Sequence, residues 1–143
     1  MTRLIRTESG ATLRNKLLKT IAIMIRELGK QNSVDNSTKD MIALIVHSLQ
    51  RIAETNEEAI TAWEKRDYWL KADRFRLEWE WAQKTAGQLQ DALLKDNWAM
   101  IASVIPIIAA KCRKIKLNAK SSSLSIWVGA YDNLIKSKIK GAA

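Results

Sequence analysis

The residues with evident chemistry in this 143-residue chain are lysines and arginines. They collect at its two ends: residues 1–30 carry a net charge of +5, residues 31–110 carry −3 and residues 111–143 carry +7. This separation favours a polyanion as partner, although lysine-rich ends are also compatible with a merely solvated surface. Phosphates are the groups that such residues contact. The candidate nucleic-acid-binding residues are Arg14, Lys16, Lys19, Lys111, Arg113, Lys114, Lys116 and Lys120.

Catalytic chemistry finds little support in the same residues. The chain has one histidine and one cysteine, no Gly-rich phosphate loop, and no Glu-x-x-His spacing of the kind that builds a carboxylate-bridged di-metal site. His47 is predicted to lie on a polar helix face, and Cys112 is predicted to be a small core residue. We therefore expect a protein that is not an enzyme and that uses no cofactor or metal.

The elements that position these residues are predicted to be helices. Five glycines, one proline and long segments of helical apolar spacing indicate an all-α fold, an up-and-down four-helix bundle with a further C-terminal amphipathic segment. No apolar run reaches the roughly 18 residues of a membrane span. A single cysteine and the lack of an apolar N-terminal signal segment favour a cytoplasmic location. One domain is expected: a basic arm (1–10), a bundle (11–117), then a linker and basic segment (118–143).

The helix boundaries follow from capping patterns. A first helix is predicted from Ala11 to Leu28, and a second from a capping box that begins at Ser37. A further capping box at Thr55 predicts a break, because an uninterrupted helix over residues 38–94 would be about 85 Å long. The third helix then ends near Leu94. A fourth starts after residues 96–97 and is kinked by its proline, and a last segment covers residues 124–139.

The third helix contains four of the six tryptophans and carries two apolar stripes. The better-ordered stripe predicts a core seam, formed by Tyr68, Ala72, Phe75, Trp79, Ala82, Ala86, Leu89 and Leu93. The opposite stripe is either covered by the terminal segments or forms a subunit interface, and the interface is the favoured interpretation. Its candidate residues are Trp63, Leu70, Leu77 and Trp81.

The segment from Tyr68 to Ala82, YWLKADRFRLEWEWA, carries a family resemblance. It is similar to the third helix of the accessory variability determinant (Avd) proteins of diversity-generating retroelements, small bacterial four-helix bundles. The match in helix order covers residues 11–117, and the chain after Lys120 departs from that pattern. The resemblance implies a homo-oligomer, pentameric in that family, that binds a reverse transcriptase and RNA or DNA without catalysing a reaction. The alternative is an oligomeric bundle that serves as a protein scaffold and does not bind nucleic acid.

Overall fold

The computed structural model describes residues 9–117 and 126–142. These residues form five helices: α1 (Gly10–Leu28), α2 (Asn36–Lys65), α3 (Trp69–Leu94), α4 (Trp98–Lys111) and α5 (Ala130–Ala142). No strand occurs among them, so the all-α prediction is confirmed. The predicted linker and most of the predicted basic arm lie outside the described residues.

The helix α2 is the centre of the fold. It packs against α1, α3 and α5, whereas α4 packs mainly on α3 and makes fewer contacts with α1. The start of α2 differs from the prediction, because Asp35 is the N-cap and forms a capping box with Thr38. The Asp35 carboxylate accepts a hydrogen bond from the Thr38 backbone N–H at 3.1 Å. The predicted cap at Ser37 is therefore wrong by two residues.

The predicted break at Thr55 is also wrong, because α2 continues through it. The buried Thr55 hydroxyl donates to the Ile52 carbonyl oxygen at 2.7 Å, a bond to the preceding turn of the same helix. A threonine that satisfies its hydroxyl in this way is compatible with a helix interior. The capping-box spacing at this position is therefore coincidental.

The chain reverses instead at Arg66–Tyr68. Asp67 adopts a left-handed conformation with φ of 62°, and the Tyr68 backbone N–H donates to the Trp63 carbonyl oxygen at 2.9 Å. This is the Schellman arrangement that closes a helix end. Asp96, with φ of 53°, closes α3 in the same way. Both positions usually hold glycine, so an aspartate there gives no conspicuous turn signal.

The core joins all five helices but occupies only part of α2 and α3. On α2 its last member is Ile52, and on α3 its first member is Ala82. The rest of these two helices, residues 53–65 and 69–81, forms a hairpin that projects beyond the core; we call it the projecting hairpin. The helix α4 is about 21 Å long and α3 about 39 Å, so α4 cannot follow α3 to its start. The Lys111 ammonium at the end of α4 lies 5.8 Å from the ring centroid of Trp81.

The helix α5 is held against α2 by its first residues. The Asp40 carboxylate accepts hydrogen bonds from the backbone N–H groups of Gly129, at 3.2 Å, and Tyr131, at 2.9 Å. His47 Nε2 lies 3.1 Å from the Ala130 carbonyl oxygen. The helix begins six residues later than the predicted segment, after a turn in which Gly129 has φ of 83°. Because this part of α5 packs on α2, it leaves the second stripe of α3 uncovered.

The course of α4 and the apolarity of the helices complete the description of the fold. Pro106 lies inside this helix, which continues on both sides of it. Among the helices of residues 9–117 and 126–142, none has the length and apolarity needed to cross a membrane.

Candidate nucleic-acid and subunit interfaces

The fold brings together two groups of basic residues that are distant in the sequence. The Cys112 sulfur lies 3.9 Å from the Leu18 carbonyl oxygen, which fixes the end of α4 against the middle of α1. Lys19 follows Leu18, and Lys111 precedes Cys112. All the basic side chains around this contact are exposed. We call them the basic surface, which consists of Lys16, Lys19, Lys111, Arg113, Lys114 and Lys116.

Most of the charges of this surface are not paired with carboxylates within the described part of the chain. No acidic residue occurs between residues 98 and 117. Within residues 10–28 the acidic residue is Glu27, at the far end of α1, where Arg26 and Lys30 contact it. The salt bridges of the described part of the chain do not involve Lys19 or the four basic residues of 111–116. These side chains are therefore placed to contact an external anion.

Arg14 does not belong to this surface, although the sequence suggested it. Its side chain is buried, with 9% of the residue exposed. The guanidinium lies 4.9 Å from the ring centroid of Phe75 and 5.7 Å from that of Trp79, and it donates to the Thr55 hydroxyl at 3.4 Å. Burial lowers the pKa of Arg14, an effect that the charge of Glu78 opposes. Arg14 therefore packs beneath the aromatic rings and is not placed to contact a surface phosphate. Lys120 lies outside the described residues.

The aromatic side chains of the projecting hairpin form a continuous cluster. Trp63 meets Phe75 edge to face at 4.9 Å, Phe75 lies 6.2 Å from Trp79, and Trp79 stacks on Trp81 at 6.0 Å. Such ring pairs contribute about 0.5–1.5 kcal/mol beyond their buried area. The predicted core seam is correct from Ala72 onward, with Phe75 and Trp79 half-buried, but its first member is exposed. Trp63 and Trp81, two of the predicted interface residues, therefore already make ring contacts within one chain.

The other two candidate interface residues are open to solvent. Leu70 is 64% exposed and Leu77 is 69% exposed, and they lie seven residues apart on one face of α3. Tyr68 and Trp69, at the tip of the hairpin, are also more than half exposed. Open depressions run along this region, one beside Leu70 and one beside Leu77. Neighbouring exposed apolar side chains of this size are typical of surfaces that bind another macromolecule.

The charged residues of α3 form salt bridges both across the hairpin and along the helix. Arg76 bridges the hairpin, with contacts of 2.8 Å to Glu64 on α2 and 2.7 Å to Asp73 on α3. The hydrogen bond with Glu64 is the largest cause of the raised pKa of Arg76. Arg74 and Glu78 take part in no salt bridge within the described part of the chain.

The two residues most often found in catalytic sites have structural contacts here. His47 contacts α5, as described above. Burial raises the pKa of Cys112 to about 11, so its thiol stays protonated at neutral pH and is a poor nucleophile. Among residues 9–117 and 126–142, no cluster of three or more His, Cys, Asp or Glu side chains could hold a metal ion.

Sequence reasoning missed that Tyr68 and Trp69 form an exposed hairpin tip. The tip is exposed because α4 ends level with Trp81, and only a comparison of helix lengths could have indicated it. Comparison of the chain with protein-family models, curated proteins and solved structures gives no match. The resemblance to Avd proteins therefore depends on the aromatic segment of α3 and on helix order.

Proposed function

We propose that this chain is a non-catalytic, homo-oligomeric accessory protein that binds nucleic acid through its basic surface and assists a reverse transcriptase. The observation that carries the nucleic-acid part is the contact between Leu18 and Cys112. It joins exposed cations of α1 and α4 into one region, in which Lys19 and the four basic residues of 111–116 make no salt bridge within the described part of the chain. Basic residues that served only solubility would not have to lie next to one another in the folded protein.

The chemistry of this surface suits a phosphate backbone better than base edges. Lysine predominates, and lysine binds phosphate as a point charge with little directional selectivity. Among residues 9–117 and 126–137, no aromatic ring capable of stacking with a base is fully exposed beside it, since Trp81 is half-buried and covered by Lys111. We therefore expect nucleic-acid binding that depends strongly on salt concentration and only weakly on the nucleotide sequence.

Binding to labelled single-stranded RNA and to duplex DNA, followed by fluorescence anisotropy, tests this proposal. The logarithm of the binding constant is expected to fall with the logarithm of salt concentration, with a slope of about −0.7 to −0.9 per phosphate contacted. The double variant Lys111→Glu/Lys114→Glu should weaken binding at least about tenfold and flatten that slope. A matched control, Arg51→Glu/Lys95→Glu, makes the same charge change on exposed residues elsewhere. Equal losses in the two variants would indicate only a general charge effect and would contradict the proposed surface.

The reverse-transcriptase partner follows from the resemblance, and the exposed apolar tip of the hairpin supports a protein partner. A tagged copy of this chain, co-expressed with a reverse transcriptase encoded beside its gene, should retain that enzyme on an affinity column. Substitution of Trp69 by Ala should reduce retention, since a large exposed aromatic is a common anchor at interfaces. If the reverse transcriptase is retained equally with and without Trp69, the hairpin tip does not bind this enzyme.

A second candidate function is that of a protein scaffold without affinity for nucleic acid. The exposure of Leu70 and Leu77 favours it, because this stripe needs a partner whether or not phosphate binds elsewhere. An oligomer that shows no anisotropy change with either nucleic acid at low salt would establish the scaffold function and exclude the first.

A further inference from the structure

We infer that the exposed face of α3 pairs with the same face of a second copy of this chain, with the two helices antiparallel about a two-fold axis. This pairing face consists of Leu70, Arg74, Leu77, Glu78 and Trp81. The inference rests on the homo-oligomer of the proposed function and specifies its geometry.

The composition of the face is the first argument. Leu70, Arg74, Leu77 and Trp81 follow one another at steps of four, three and four residues, which places them in one stripe. Glu78 lies beside Arg74, one turn further on. The helix α4 does not reach most of this stripe, because its last residue, Lys111, lies beside Trp81 of α3. The face therefore has the apolar character of a helix–helix contact but no helix packed on it among the described residues.

The order of charges along the face selects a second copy as its partner. Arg74 precedes Glu78, and neither has a salt bridge within the described part of the chain, although the charge of Glu78 also acts on the buried Arg14. In an antiparallel pair with its two-fold axis at the level of Arg76, Arg74 lies level with Glu78 of the partner subunit, and Glu78 lies level with Arg74 of the partner subunit. The same edge of each helix faces the other, so both ion pairs form. A parallel pairing would set like charges side by side, which is unfavourable.

The apolar residues fit the same register. Leu77 lies next to the two-fold axis and meets Leu77 of the partner subunit. Leu70 lies within one residue of the level of Trp81 of the partner subunit, where the exposed part of that half-buried ring can contact it. On the other edge Asp73 comes near Glu80 of the partner subunit, and Arg76, which already contacts Asp73 at 2.7 Å, offsets that repulsion.

The length of the projecting hairpin also fits. Residues 69–81 of α3 precede Ala82, the first residue of this helix in the core cluster, and are about 20 Å long, although Trp79 and Trp81 near the end of this segment also pack against the core. A two-fold axis near the middle of this segment lets each projecting hairpin cover the other while the two cores stay at opposite ends. This geometry closes as a dimer or builds an even-numbered assembly. It therefore differs from the five-membered ring that the family resemblance implies.

Engineered disulfides test the register directly. In a Cys112→Ala background, Leu77→Cys places two thiols beside the axis, and mild oxidation should give a covalent dimer in high yield. Leu70→Cys is the matched control, because Leu70 is equally exposed. In the proposed register its two copies lie about 18 Å apart along the helix and should not link. Equal cross-linking at both positions would overturn the antiparallel register.

Charge exchange tests the ion pairs, with mass measured by light scattering and sedimentation at several protein concentrations. The single variants Arg74→Glu and Glu78→Arg should each raise the dimer dissociation constant at least about tenfold, because each replaces two attractions by two repulsions. The double variant Arg74→Glu/Glu78→Arg should restore it to near the original value. Lys95→Glu, an exposed change at the end of α3 away from the projecting hairpin, should leave the mass unchanged.

The outcomes separate this inference from the proposed function. An oligomer that is not restored by the double exchange would overturn the two-fold pairing and leave self-association standing. A monomer at all concentrations would overturn both. A monomer that dimerises only when residues 1–8 are deleted would show that the N-terminal segment covers this face, and would equally overturn the pairing.

Discussion

The carboxylate of Asp40 on α2 accepts a hydrogen bond from the backbone N–H of Tyr131 at 2.9 Å, across 91 residues of sequence. The Gly129 N–H adds a second bond to the same carboxylate. The first N–H groups of a helix have no partner within it, and an aspartate usually supplies one from the residue just before the helix. Here the acceptor comes from another helix, so a single side chain both caps α5 and attaches it to the core.

Replacement of Asp40 by Ala is expected to loosen α5 selectively. The loss of both bonds should lower the free energy of unfolding by about 1–2 kcal/mol. Hydrogen exchange should quicken at residues 129–134 and stay unchanged in α4. Asp40→Asn keeps one acceptor oxygen and should show an intermediate effect. Exchange that quickens equally in α4 and α5 would contradict the local role of this carboxylate.

Variants at Arg14 distinguish packing from phosphate binding. Arg14→Ala removes the group that lies over Phe75 and Trp79, and should lower the free energy of unfolding by about 2–3 kcal/mol. Arg14→Met retains most of the volume and removes a desolvated charge, so its stability should equal or exceed that of the parent. Nucleic-acid affinity of the Met variant should be unchanged, which anisotropy measures. A loss of affinity at full stability would return Arg14 to the basic surface.

The turn between α2 and α3 offers a stabilising substitution. Asp67 holds a positive φ that glycine adopts without strain. Asp67→Gly should therefore raise the free energy of unfolding by about 0.5–1 kcal/mol in denaturant titrations. Glu57→Gly, at an exposed position inside α2, is the matched control, and it should lower stability by about 1 kcal/mol. A destabilising Asp67→Gly would place the chain reversal elsewhere.

The buried thiol of Cys112 predicts a loss of stability at alkaline pH. Burial raises the pKa of this group from 9.0 to about 11 in the folded protein. The unfolded chain therefore binds fewer protons than the folded protein between these values, and stability falls as pH rises. The contribution is complete below about pH 9 and decreases by up to about 1.4 kcal/mol per pH unit to about pH 11. Thermal melts of the parent and of Cys112→Ala at about pH 8 and about pH 10.5 give the difference, which cancels the titration of the lysines.

Much of the secondary structure could be predicted from apolar spacing, but the turns could not. Both ends of α1, the last residue of α3 and the first residue of α4 lie within a few residues of the predictions, because each is marked by a polar cap or a change of period. The break at Thr55 failed because a capping sequence is only local, and the buried hydroxyl found a partner in its own helix. The true reversal at Asp67 carries no glycine or proline, so nothing in composition marks it.

The sequence allowed us to predict that the protein has a basic surface and an exposed apolar stripe, but only some of the residues that form them. Basic residues on α1 and α4 were expected to act together, yet only the packing of Leu18 on Cys112 shows that they adjoin. Arg14 has the same side chain as a surface arginine, and only tertiary contacts show that aromatic rings cover it. Leu70 and Leu77 were identified by their spacing. Their exposure depends on where α4 ends, which is a relationship between helices and not a property of either one.

The ring contacts around Trp81 give the protein an optical property. Lys111 of the basic surface lies against Trp81, Trp81 stacks on Trp79, and the buried Arg14 lies over Trp79. Under the proposed function, an anion that binds Lys111 would draw a cation away from the indole ring of Trp81 and change the emission of that ring. The binding of unlabelled nucleic acid could then be followed by the light that the protein itself emits.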